Sequence, residues 1–217
     1  MDVGKAFSFV FEDERWVSKV LIGGLVALIP IVNFALLGYM LKVAQNVAQG
    51  NPRPLPEWNE FGDHFMRGLY GIVIAVVYQL PTIILYALFF CVLAAAGGAA
   101  SNDNGDGAGA IGALGLCLFP LIFILALGGA LLSYAAIARY LSTNTLSEAF
   151  KFSEVIASFR GNLAAWLILL LVGILANFVG GLGVIACGIG VLFTSFYAQC
   201  VMGHALGQTI RQIGGAA

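Results

Sequence analysis

The sequence predicts an all-α integral membrane protein, and three observations carry that prediction. Of 217 residues, 60% are hydrophobic and 10% charged, against about 25% charged in an ordinary soluble domain. The apolar residues gather into five runs, several longer than the ~20 residues that a helix needs to cross a bilayer core. Charged residues lie between the runs or at their edges. The expected architecture is about six helices paired as three helical hairpins, with three cytoplasmic amphipathic surface helices. Residues 1–217 form a single membrane domain with hairpin units at about 2–49, 57–140 and 145–210. A net charge of −1 offers no basic face to a nucleic acid.

In chain order, Val3, Phe7, Val10 and Phe11 recur at helical spacing, which predicts a first surface helix. Its acidic residues stand where a secretory signal would be apolar, so the first segment is expected to stay in the mature protein. Trp16 follows at the membrane interface, ahead of an apolar run from Val17 to Leu41 that is interrupted at Pro30. Basic residues flank that run on both sides: Lys5, Arg15 and Lys19 before it, Lys42, Arg53 and Arg67 after it. It is therefore expected to enter and return on one side as a hairpin broken at Pro30. Whether residues 17–49 are re-entrant or fully spanning stays open.

Pro52, Pro54 and Pro56 then hold the chain extended. A surface helix is expected from Glu57, with Trp58, Phe61, Phe65 and Leu69 on one stripe and Glu57, Glu60, Asp63 and Arg67 turned away. The second run, Leu69 to Ala96, carries Pro81 and leads into a Gly-, Asn- and Ser-rich flexible loop over 97–110. The third, Ile111 to Ala138, carries Pro120. Thr145 and Glu148 have capping-box spacing ahead of a third surface helix, on which Phe152, Val155, Ile156 and Phe159 share a face. Leu163 to Val179 is the fourth run, residues 180–183 a tight turn, and Val184 to Met202 the fifth. The loops at 97–110 and 180–183 contain no Lys or Arg, so they are expected to face away from the cytoplasm and both termini to lie in it.

Over the first third of the chain the residues carry more than composition. Asp13, Trp16, Lys19, Ile22-Gly23-Gly24, Ile29-Pro30, Gly38-Tyr39, Gly50, Leu55-Pro56-Glu57-Trp58, Phe61, Gly62-Asp63 and Gly68 follow in fixed order, and several are unusual residue types. This resembles the N-terminal signature of a family of bacterial and archaeal multi-pass membrane proteins known only as a domain of unknown function. His204 and Gly207-Gln208 are similar more loosely. The resemblance implies a multi-helix bundle in a prokaryotic cell (inner) membrane and assigns no catalytic residue.

No ionisable residue falls in the interior of a run, although driven transporters use such groups. Uncharged polar residues do: Asn33, Gln79, Asn177 and Gln199 are the expected lining of any solute path. Glu60 and His64, four apart, are read as a solvated helix face rather than a metal pair. Glu60, Asp63 and His64 are also the residues a headgroup-modifying enzyme would use. Cys91, Cys117, Cys187 and Cys200 are read as small buried hydrophobes. Trp16, Trp58 and Trp166 form an interfacial belt. Gly203 and Gly207, at GxxxG spacing, thin their helix for a close neighbour within the chain or on a partner. The expected function is a non-catalytic scaffold or accessory subunit of a membrane complex, with a carrier or channel for a small or lipid-like solute as the alternative. Neither cofactor nor metal is expected. Membrane lipids and protein partners, in a complex or homo-oligomer, are.

Overall fold

The computed structural model describes residues 1–100, 106–185 and 188–214. Among them are eight α-helices, four 3₁₀ turns and no strand. Helix α1 (Val3–Ser8) is capped by Asp2, whose carboxylate accepts from the Lys5 backbone N–H, and a 3₁₀ turn (Phe9–Glu12) follows. Helices α2 (Trp16–Ala27) and α3 (Phe34–Ala48) flank the Pro30 interruption. Their 12 and 15 residues give lengths of about 18 and 22 Å, short of the ~30 Å bilayer core. Helices α4 (Phe61–Ala100) and α5 (Asp106–Thr143) are the long pair. A 3₁₀ turn (Leu146–Phe150), α6 (Phe152–Gly161), α7 (Leu163–Gly181), a further 3₁₀ turn (Leu182–Ile185) and α8 (Gly190–Gly214) complete the chain. Among the described residues, three stretches are long and apolar enough to cross a membrane: Trp58–Ala94, Leu118–Thr143 and Leu163–Ile185.

Residues 1–74 and 134–217 make one compact unit and residues 75–133 another. In the first unit α8 is the central helix, packed on α2, α3 and α7. Glycine permits this. A Cβ on Gly203 or Gly207 would press on the backbone carbonyl of Met40 or Ala44, and one on Gly23 or Gly24 would collide with the rings of Phe196 or Phe193. Helices α3 and α4 cross in the same way, since a Cβ on Gly38 would overlap the His64 carbonyl and one on Gly68 the Phe34 carbonyl. Close backbone approach of this kind replaces the water-driven burial that is unavailable in lipid. The core beside these contacts holds Phe9, Val10, Leu36, Tyr39, Val43 and Phe196. In the second unit, Gly129 of α5 lies against Gln79 and the Tyr78 carbonyl of α4, while Ile84, Leu88, Phe119 and Ile124 are exposed.

Several expectations are corrected. The second surface helix is reduced to one 3₁₀ turn (Trp58–Glu60) that runs directly into α4. Trp58 is held inward by α2 and α3, so the segment is no free headgroup-plane helix. The expected loop over 97–110 is helical to Ala100 and again from Asp106, consistent with its alanines; residues 101–105 lie outside the described ones. Likewise α7 continues through Gly180 and Gly181, and the left-handed glycine comes later, at Gly188 with φ 79°. Thr145 makes no capping hydrogen bond. Its hydroxyl donates to the Thr143 carbonyl, and Glu148 instead meets Arg139 and Lys151. Of the cysteines, Cys200 is buried and Cys91 exposed; Cys117 and Cys187 fall outside the described side chains. Trp166, in the first turn of α7, is fully buried near Phe159.

Candidate functional site

Two constellations of polar side chains stand out in the first unit. One surrounds Lys19, counted with the bases that flank the first apolar run. It is in fact buried within α2, 4% exposed. Its ammonium reaches the Asp13 carboxylate at 2.7 Å, Glu57 at 2.9 Å and the Leu55 carbonyl at 3.1 Å, and Arg15 adds a 2.8 Å contact to Glu57. A buried ammonium requires such compensation. Burial acts to raise the Asp13 pKa, but the Lys19 hydrogen bond, the Arg15 backbone N–H and both cations outweigh it and hold the carboxyl below its usual range.

Extended Pro54-Leu55-Pro56-Glu57 is thereby clamped onto α2 and α3. The Tyr39 hydroxyl donates to the Pro56 carbonyl at 2.9 Å, and the Trp58 indole N–H donates to the Lys19 carbonyl at 3.0 Å while its ring stacks on Tyr39 with centroids 4.6 Å apart. Pro56 is buried. Trp16, half-buried, stands edge-on to Phe11 at 5.1 Å. Asp13, Lys19, Gly38, Tyr39, Leu55 to Trp58 and Gly68 thus form one latch between the Pro-rich segment and the α2, α3 and α4 helices.

His64 belongs to this latch and leaves the solvated face that the sequence suggested. It is completely buried beside Tyr39 and Trp58. Its Nε2 lies 2.9 Å from the Glu57 carbonyl, which only accepts, so Nε2 carries the proton and Nδ1 is left without a partner. Glu60 is exposed, and Asp63 pairs with Arg67 at 2.7 Å. The three residues do not converge. Periodicity puts Glu60 and His64 on one face, but that face is turned onto Tyr39 and Trp58 at His64.

The second constellation is a crevice of about 640 Å³ among α3, α4, α5, α7 and α8. Asn33, Asn177 and Gln199 all line it, joined by Tyr134 and Ser195. Asn33 sits where the Pro30 turn enters α3, Asn177 on the last turns of α7 and Gln199 in the first half of α8. Asn177 donates to the Gly173 carbonyl at 2.8 Å. The side chains of Asn33, Gln199, Ser195 and Tyr134 find no hydrogen-bond partner among the described residues. Gln79 is not part of the crevice. It lies in the second unit, where its amide donates to the Ala126 carbonyl at 3.1 Å. Pro30 is an exposed turn residue, and Gly203 and Gly207 are occupied by α3. Tyr134 was missed by sequence reasoning; a polar residue among apolar neighbours was the available signal.

A further cavity of about 600 Å³ lies where α1, the Pro-rich segment and the end of α8 meet, lined by Lys5, Glu12, His204 and Arg211. There Gln208 ties the chain start to α8, accepting from the Asp2 backbone N–H at 2.6 Å and donating to His204 Nδ1 at 3.0 Å.

No curated protein and no solved structure matches the chain. A family model described as protein of unknown function, DUF4013, matches residues 22–189. That span contains the α2–α3 turn, the Gly38-Tyr39 and Leu55 to Gly68 parts of the latch but not Asp13 or Lys19, and the Asn33 and Asn177 walls of the crevice, and the chain belongs to this DUF4013 family.

Proposed function

We propose that the protein is a non-catalytic multi-pass membrane protein that receives a small or lipid-like solute in the crevice between α3, α7 and α8. The observation that supports this reading is the convergence of Asn33 at the start of α3, Asn177 of α7 and Gln199 of α8 on one cavity. Its volume is within the ~300–1,000 Å³ of ligand sites. Interhelical hydrogen bonds would have consumed these side chains instead.

The scaffold reading drew on close-packing glycines held available for partners. Gly203 and Gly207 face α3 of the same chain, which weakens that motive. We place both termini and the Pro-rich segment in the cytoplasm of a prokaryotic cell, from the distribution of Lys and Arg.

The test is purification of the full chain from its native membrane in mild detergent, with mass spectrometry of what is retained. The expected result is a non-protein molecule bound in stoichiometric amount, lost on Gln199→Leu. A stoichiometric set of other proteins with no retained small molecule would overturn the solute reading in favour of an accessory subunit.

A further inference from the structure

Resting on the reading of the crevice as a binding site, we propose that its ligand is an uncharged amphiphile whose head offers hydroxyl or carbonyl groups, the chemistry of a neutral diacylglycerol. No Asp, Glu, Lys, Arg or His is among the described residues that line the crevice. A phosphate or ammonium entering it would give up part of its hydration with no opposite charge to meet, a cost that a neutral head avoids. The cations that would suit a phosphate are elsewhere: Lys5 and Arg211 line the separate cavity at the end of α8.

What the crevice offers is neutral and two-sided. Primary amides on Asn33 and Gln199 and hydroxyls on Ser195 and Tyr134 each donate and accept, and all four lack a partner among the described residues. Asn177 uses one amide proton on the Gly173 carbonyl, which leaves its Oδ1 to accept. A head bearing both a free hydroxyl and ester carbonyls satisfies such a set. The remaining wall suits acyl chain: Phe34, Leu37 and Val191 are apolar, and Met40 and Met202 are flexible thioethers that adapt to irregular surfaces.

The full chain, delipidated in detergent and checked for an unchanged thermal transition, is titrated by native mass spectrometry with dioleoylglycerol and, separately, with dioleoylphosphatidylglycerol. The expected result is one dioleoylglycerol per chain, with affinity lowered about tenfold, or about 1.4 kcal/mol, by Gln199→Leu. Tyr134→Phe, which keeps the ring and removes only the hydroxyl, is expected to weaken it in the same direction. This second variant keeps the test valid if Gln199→Leu does not fold. Equal or tighter binding of the anionic lipid, with the same sensitivity to these substitutions, overturns the uncharged class while leaving the crevice a site. Failure of dioleoylglycerol to bind, or binding unchanged in both variants, overturns the proposed class of ligand. The crevice itself is judged separately, by the molecule retained from the native membrane.

Discussion

Lys19 shows at the scale of one residue how a charge is kept inside an apolar helix. Its three partners come from segments on either side, Asp13 before α2 and Leu55 with Glu57 after α3. Replacing it by methionine preserves volume but strands the Leu55 carbonyl and removes the cation that Asp13 and Glu57 share. We expect Lys19→Met to cost about 2 kcal/mol, below the ~3–5 of a wholly buried pair because Glu57 is partly solvated and keeps Arg15. A lowered melting temperature in detergent is the readout, and an unchanged one would remove the latch. The pH dependence has a definite sign. The Asp13 pKa is lowered on folding from its reference value of 3.8, so its stabilisation is complete above that value and is lost as pH falls through the lower folded value. Wild type is therefore expected to lose stability on acidification below about pH 4, and Asp13→Asn to lose less over that interval.

At the scale of elements, paired glycines decide where helices cross. Alanine at Gly38 would meet the His64 backbone carbonyl, and alanine at Gly68 the Phe34 carbonyl. Neither obstacle is a side chain that can rotate away, so α3 and α4 would have to separate. Gly38→Ala is expected to cost more than ~3 kcal/mol or to abolish folding. Gly62, also in α4, has open space where its Cβ would be. Gly62→Ala should be neutral or stabilising by about 0.5–1 kcal/mol, since alanine is the better helix former. Comparing the thermal stabilities of the two variants separates close approach from helix propensity, and similar losses for both would refute the crossing. Sequence spacing exposed Gly203 and Gly207 as a small-residue pair. It did not expose Gly38 and Gly68, because they lie on different helices.

For the whole molecule, topology follows from how the charges are distributed between helices. With the native cysteines replaced, a single cysteine at Asn51 is expected to react with a membrane-impermeant maleimide only from the cytoplasmic side. One at Ile189, in the turn between α7 and α8 and 66% exposed, should react only from the opposite side. Labelling of both from the same side would reverse the proposed arrangement of α7 and α8. The short lengths of α2 and α3 bear on the same question, because neither half reaches across a ~30 Å core without help from neighbouring segments.

Composition and the spacing of apolar runs were enough to determine an all-helical chain with segments able to cross a membrane, the break at Pro30 and the resemblance to a family. These are local properties, read from each run by itself. Only the tertiary structure turned His64 from a solvated face into the latch, assigned Gly203 and Gly207 to α3, and gathered Asn33, Asn177 and Gln199 on one crevice. The physical reason is that a helix suited to lipid is apolar on every side, so periodicity no longer marks the inward face. Which face packs is then set by backbone approach at glycines and by the pairing of a few polar groups, and both depend on residues distant in sequence.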